Sequence, residues 1–211
     1  MISVDALTFG YGPRTGPVLN DLTCKFSEGA LTTITGPSGG GKSTLLYLLG
    51  LMLTPTAGTV VLDGVATARL PDGERARLRA TQIGFVFQDA VLDPARTVLD
   101  NVMEGALFTG TSRRVAERRA RDLLGALGVE HRHDHRPGQI SGGQAQRVAL
   151  CRALMKSPTI ILADEPSGNL DPASADVVWD TLRERAQSGA TVIVATHDPL
   201  RAPTGDARVQ L

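Results

Sequence analysis

Apolar and polar residues alternate at the start of the chain. Ile2, Val4 and Ala6, then Val18, Leu22, Cys24 and Phe26, are separated by more polar neighbours, and this period of two predicts two half-buried strands. The Gly/Pro-rich stretch 10–17 reads as the turn between them, so the pair is expected to form an antiparallel flap. A short strand follows at 31–35, then a glycine-rich loop and an apolar helix over 43–53 that stops before Pro55. Further strands are predicted at 59–62, closed by Asp63-Gly64, and at 83–87. The runs 159–162 and 191–195 are short and apolar, which suits strands of a parallel sheet buried on both faces, and a helix over 172–187 connects them. A last strand is expected at 207–211.

Between 88 and 157 the period becomes helical. Ala116, Ala120, Leu123, Leu124 and Leu127 fall on one face, with Arg113, Arg114, Arg118, Arg119 and Arg121 largely on the other. Glu117 and Asp122 dilute that arginine row, which reads as a solvated surface rather than a nucleic-acid patch. With 22 basic and 22 acidic side chains, no overall field draws the molecule to nucleic acid or to an anionic membrane. The two cysteines stand far apart and outside any Cys-x-x-Cys pair, as expected of a reducing compartment. The longest apolar stretch, 45–53, is about half of the ~20 residues that a membrane-spanning helix needs, and 1–10 lacks the basic start of a secretory signal.

The chemistry is concentrated in a few motifs. Gly36, Pro37, Ser38, Gly39, Gly40, Gly41, Lys42, Ser43 and Thr44 satisfy G-x-x-x-x-G-K-[ST] between a predicted strand and a predicted helix. Small residues there let backbone N–H groups curl around phosphate oxygens. The helix adds its positive end, Lys42 can bridge the β- and γ-phosphates, and the Ser43 hydroxyl is placed to ligate Mg²⁺. The strand at 159–162 runs on into Ala163 and then the acids Asp164 and Glu165. A parallel strand delivers such acids to the carboxyl edge where α/β sheets bind ligands: Asp164 to hold Mg²⁺, Glu165 to orient or deprotonate an attacking water. Ser141, Gly142, Gly143 and Gln144, opening a helix over 144–155, offer a second glycine-rich anion site.

Together these motifs closely resemble the ATP-binding-cassette ATPases, whose signature is Leu-Ser-Gly-Gly-Gln. The resemblance implies an α/β fold, a P-loop NTPase with a RecA-like core, an antiparallel β flap and an inserted α-helical subdomain. It implies one domain over 1–211, with 1–88 and 158–211 as nucleotide-binding core and flap and 89–157 as the helical part. In that family two cassettes face each other head to tail, so Ser141, Gly142, Gly143 and Gln144 would act in trans on the ATP held by the other chain. Gln88 resembles the loop glutamine that senses Mg²⁺ and water, so Ser43, Gln88 and Asp164 form the implied metal set. Asp171, closing Ser167-Gly168-Asn169-Leu170-Asp171, resembles the loop that contacts the opposite cassette. His197 resembles the histidine that hydrogen-bonds the γ-phosphate, and Tyr11 the aromatic that stacks on adenine, with Phe9 as its rival.

The implied catalytic set is therefore Lys42, Gln88, Glu165 and His197, with ATP and Mg²⁺ as cofactors. The implied partners are a second copy of the chain and an integral membrane permease, placing it on the cytoplasmic face of the cell membrane, with no nucleic acid. Residues 83–88, 97–102 and 164–171 look like the branch of lipoprotein-releasing, macrolide-, peptide- and haem-exporting and cell-division ATPases. The alternative is a soluble or signalling ATPase clamp of the same family that transports nothing directly. Segment 90–94 departs from the branch pattern, and the groove near 88–101, with Ala90, Val91 and Leu92 as an apolar floor, is where a permease helix is expected to dock.

Overall fold

The computed structural model describes residues 1–12 and 16–211. The expected turn over 10–17 therefore includes residues 13–15, which lie outside the described residues. In chain order the elements are β1 (Ile2–Phe9), β2 (Leu19–Phe26), β3 (Leu31–Thr35), α1 (Lys42–Leu49), β4 (Ala57–Leu62), β5 (Val65–Ala66), α2 (Asp72–Gln82), β6 (Ile83–Val86), α3 (Val98–Met103), α4 (Arg113–Ala126), α5 (Gly142–Leu154), β7 (Ile160–Asp164), α6 (Pro172–Gln187), β8 (Thr191–Ala195) and β9 (Ala207–Gln210).

Strands β2, β1, β4 and β5 form an antiparallel sheet in that order, with Ile2 opposite Phe26 and Leu62. Its register shifts between Asp5 and Thr8, where Gly58 has φ +72° and a Cβ would lie 2.2 Å from the Ala6 carbonyl oxygen, so only glycine fits that close approach. The second sheet is wholly parallel, in the order β6-β7-β8-β3-β9. Alternate residues of its central strands enter opposite cores. Ile161, Ala163, Val192 and Val194 pack in one apolar cluster with residues of α3, α4, α5 and α6, while Ile160, Leu162, Ile193 and Ala195 pack in the other with α1 and the antiparallel sheet. Burial on both faces explains why these strands read as unbroken apolar runs.

Several boundaries differ from the sequence reading. Helix α1 begins at Lys42 rather than Ser43 and ends at Leu49, because Gly50 closes it and Leu51 turns left-handed at φ 56°. Helix α5 likewise starts two residues early, at Gly142. Helix α2 was not anticipated: none of its residues is fully buried, and its packing on the apolar core is limited to the partly buried Leu78. Its arginines secure it instead, Arg75 donating to Leu51 O at 2.9 Å and Leu53 O at 2.8 Å, and Arg79 to Leu51 O at 2.8 Å.

The arginine face of α4 is only partly the solvated surface expected. Arg113, Arg114 and Arg118 are exposed, but Arg121 pairs with Glu117 and Glu130, and Arg119 donates to the carbonyls of Met155 and Leu154 and to the Ser157 hydroxyl. Those carbonyls lie at the C-terminal end of α5, where the Leu154 carbonyl also accepts the Ser157 N–H at 3.0 Å. Arg119→Ala is expected to cost about 1–3 kcal/mol and lower the melting temperature by about 2–4 °C per kcal/mol, with ATP binding at 25 °C unchanged. Thermal denaturation beside nucleotide titration checks both.

Candidate active site

The carboxyl ends of β6, β7, β8 and β3 stand in a row. Each leads into residues that the sequence singled out: β6 to Gln88, β7 to Glu165, β8 to His197 and β3 to Gly36. A pocket of about 410 Å³ gathers Tyr11, Ser38, Gly39, Gly41, Lys42, Ser43, Thr44, Gln88, Asp164, Glu165 and His197.

The loop at 36–41 turns through Gly39 at φ +76° and Gly41 at φ +92°, with Gly40 N donating to Pro37 O at 3.0 Å. A Cβ on Gly41 would lie 2.9 Å from Leu19 Cδ2, so the flap seats directly on the loop. Lys42, only 8% exposed, donates from Nζ to the carbonyls of Gly36 and Pro37, both at 3.0 Å. The Tyr11 hydroxyl hydrogen-bonds Thr44 Oγ1 at 3.0 Å, and its ring meets Phe9 edge-on with centroids 5.0 Å apart. Phe9 is buried in the core whereas Tyr11 is 63% exposed, so of the two aromatics only Tyr11 offers a face to a ligand.

Asp164 is 3% exposed, and among the described residues its Oδ1 has no hydrogen-bond partner. Burial pushes its carboxyl above the ordinary value, a tendency opposed by the Ser43 hydroxyl bonded to it and by Lys42, and reinforced by Glu165. Glu165 has a left-handed backbone at φ 45°, its N–H donating to Ala195 O at 2.9 Å. Its carboxylate accepts hydrogen bonds from His197 Nδ1 at 2.6 Å and from the His197 backbone N–H at 3.3 Å.

The signature residues lie elsewhere. Ser141 caps α5, its hydroxyl accepting from Gln144 N at 3.2 Å while Gln144 Oε1 accepts from Ser141 N at 3.0 Å. Gly142 borders a second cleft of about 180 Å³, shared with Gln88, Glu165, Gly168 and Asn169, and among the described residues no signature residue lines the first pocket. A Cβ on Gly143 would lie 3.0 Å from Ser174 Oγ, placing the signature against the start of α6. Asp171 caps that helix, accepting from Ser174 N at 3.0 Å, and the Ser174 hydroxyl together with that N–H holds its carboxyl below the ordinary value.

Three residues bearing on the site went unread in the sequence. Buried Gln146 donates to Phe87 O at 2.9 Å, beside Gln88, and Arg152 donates to Ala90 O at 2.9 Å and Val91 O at 2.8 Å. Trp179, fully buried, donates to Ser167 Oγ at 2.9 Å. The lone tryptophan was the available signal, since a buried indole N–H needs an acceptor.

Residues 19–168 match the family model described as ABC transporter. The chain belongs to the ABC transporter family. Within it, the lipoprotein-releasing system ATP-binding protein LolD of Cereibacter sphaeroides is 43% identical over 215 aligned positions, covering 100% of this chain and 96% of that protein. LolD of Myxococcus xanthus is 43% identical over 195 positions, covering 92% and 87%. Among solved structures, a dimeric ATP-binding cassette in a post-hydrolysis state bound to ADP and Pi superposes with a TM-score of 0.92 at 36% identity, covering 100% of this chain and 94% of that one. This ABC protein is accordingly an ATP-binding subunit whose family couples ATP hydrolysis to transport. Among the described residues no helix is long and apolar enough to cross a membrane.

The burial of Asp164 works against the stability of this ABC ATPase. A carboxylate whose pKa is raised by folding lowers stability above its folded pKa, and the penalty disappears as pH falls through that pKa towards the ordinary 3.8. Asp164→Asn, which cannot ionise, is expected to raise the melting temperature at neutral pH, on a scale of about 2–4 °C per kcal/mol. It should also flatten the melting temperature's rise with acid and lose most hydrolysis. Calorimetry across pH and a steady-state assay check the two together.

Proposed function

We propose that this chain is the ATP-hydrolysing subunit of an exporter or extractor of hydrophobic cargo of the lipoprotein-releasing kind. It acts as a head-to-tail pair of copies against a membrane permease. The observation that carries the pairing is the separation within one chain: the nucleotide pocket is walled by the P-loop, Asp164, Glu165 and His197, while the signature faces another cleft. A second copy turned through a two-fold axis brings its Ser141, Gly142, Gly143 and Gln144 over the open pocket, with Asp171 at the contact. The dimeric cassettes that this chain resembles support that reading, and the lipoprotein-releasing relatives support the cargo class.

Tyr11 stacks on the adenine, the loop from Gly36 to Gly41 cradles the phosphates, and Lys42 exchanges its loop carbonyls for phosphate oxygens. The site suits Mg²⁺ brought in with ATP. Asp164 offers a buried, unpaired oxygen beside Ser43, and Gln88 lines the same pocket. Among the described residues no group of three or more His, Cys, Asp or Glu side chains is disposed to hold a metal ion, in keeping with a cation held by few protein ligands plus phosphate. When bound, the ion neutralises charge on the β- and γ-phosphate oxygens. Glu165 orients a water, and takes its proton, for in-line attack on the γ-phosphorus as the bond to ADP breaks. His197, fixed through Nδ1 on Glu165, presents Nε2 to the γ-phosphate.

Mixing two disabled chains tests the composite site. Ser141→Arg and Lys42→Ala should each be inactive alone. Their mixed dimer retains one intact site, so an equal mixture should recover up to about a quarter of wild-type activity, half the dimers being mixed with one working site of two. No recovery in demonstrated mixed dimers overturns the pairing.

The permease reading rests on a groove of about 440 Å³ beside the Gln88 loop, lined by Phe85, Phe87, Val91, Leu92, Asp93, Glu104, Gly105 and Arg152. Leu92 packs partly on the core, whereas Val91 is 63% exposed at φ 46°. Val91→Asp places a charge on the apolar floor in a residue type that tolerates a left-handed backbone better than valine. Stimulation of hydrolysis by reconstituted permease should fall at least about tenfold while the isolated subunit keeps its basal rate; unchanged stimulation overturns the docking site.

A further inference from the structure

We infer that Trp179 is a positioning residue for the hydrolytic reaction, acting through Ser167 to hold Glu165 in its working orientation. The inference rests on the reading of Glu165 as the group that orients water.

Glu165 sits in a left-handed backbone conformation that side-chain-bearing residues seldom adopt, so the surrounding structure must fix it. Two ties are local: Glu165 N–H to Ala195 O at 2.9 Å, and Gly168 N–H to Glu165 O at 3.1 Å. The second closes a turn over residues 165–168 in which Ser167 is the third residue. That turn runs into the next, where Leu170 N–H donates to Ser167 O at 3.1 Å, so both turns share Ser167. The Ser167 hydroxyl accepts the indole N–H of Trp179 at 2.9 Å.

Trp179 is well suited to anchor this segment. It is fully buried on α6, in the same apolar cluster as Ile161, Ala163, Val192 and Val194 of the central strands, so its ring is immobilised by the core that carries Asp164 and His197. The N–H is a donor only, and the bond to Ser167 satisfies it. The exposed Gly168 and Asn169, which border the cleft facing the signature, are the residues beyond this anchor. The indole thus connects the sheet core to the segment that carries Glu165 on one side and the dimer-contact loop on the other, without itself touching nucleotide.

The test uses the full chain with Trp179→Phe, which keeps an aromatic ring in the core and removes the donor, and Ser167→Ala, which removes the acceptor at a half-buried position. Steady-state kcat and KM for ATP with Mg²⁺, nucleotide affinity and melting temperature are measured for each and for the double variant. Each single variant is expected to lower kcat about tenfold with KM and affinity within about twofold, and the double variant to be no worse than either single one. In Ser167→Ala the emission of the single tryptophan should also shift, since its hydrogen bond is lost. A kcat within about twofold of wild type in Ser167→Ala overturns the inference whether or not Trp179→Phe folds, as do additive losses in the double variant. Glu165→Gln run in parallel separates the two readings: its hydrolysing ATP at the wild-type rate overturns the reading of Glu165 itself, whereas an inactive Glu165→Gln beside an unaffected Ser167→Ala overturns only the role of Trp179.

Discussion

A parallel sheet covered on both faces can be approached by a ligand only at its ends, and that constraint organises this molecule. Every residue of β7 and β8 is buried, so these central strands present polar chemistry to a ligand only where they stop. Asp164 is the limiting case, a carboxylate at the last position of an otherwise apolar strand, desolvated and with one oxygen unpaired among the described residues. Such a group weakens the fold unless a cation completes it. The P-loop, the flap and Tyr11 wall the same pocket that Asp164 lines, where the cation and its phosphates are proposed to be received.

Helix α5 links this site to the two surfaces where other chains are proposed to act. Its first turn carries the signature, Gln146 grips Phe87 O, and Arg152 grips the carbonyls of Ala90 and Val91 while lying near Glu104. These contacts flank Gln88 on both sides, and the helix of 13 residues spans about 20 Å at 1.5 Å per residue. Arg119 ties its far end to α4, so one helix carries the signature, the contacts on both flanks of the Gln88 loop and the packing against α4.

Much of this was legible in sequence because the strands and the P-loop are local codes. Apolar runs ending in Asp164 and Glu165, and glycines spaced ahead of Lys42 and Ser43, state both the element and its chemistry. Helix α6 was read to the residue because Pro172 and Asp171 mark its start. What escaped were interactions made by long polar side chains with distant backbone. Arg75 and Arg79 hold α2 through carbonyls more than twenty residues away, and Arg119, Gln146, Arg152 and Trp179 tie segments from 12 to 62 residues apart. No periodicity announces an arginine whose acceptor is a carbonyl on another element. The same limit made the arginines of α4 look uniformly solvated, although Arg119 and Arg121 are engaged.

The remaining regularity concerns where the backbone departs from its favoured regions. Glu165 and Val91 both adopt left-handed conformations, near 45° in φ, each at a cost of roughly 1–2 kcal/mol for a residue with a Cβ. One projects the carboxylate onto His197; the other exposes an apolar side chain in the groove. Both are held from the interior, Glu165 through the turn that Trp179 anchors at Ser167 and Val91 through the Arg152 guanidinium. The two anchoring residues pack in or beside the same apolar core, which also contains the buried face of α5. Both strained positions are therefore tied back to the packed interior rather than to the exposed loops between them.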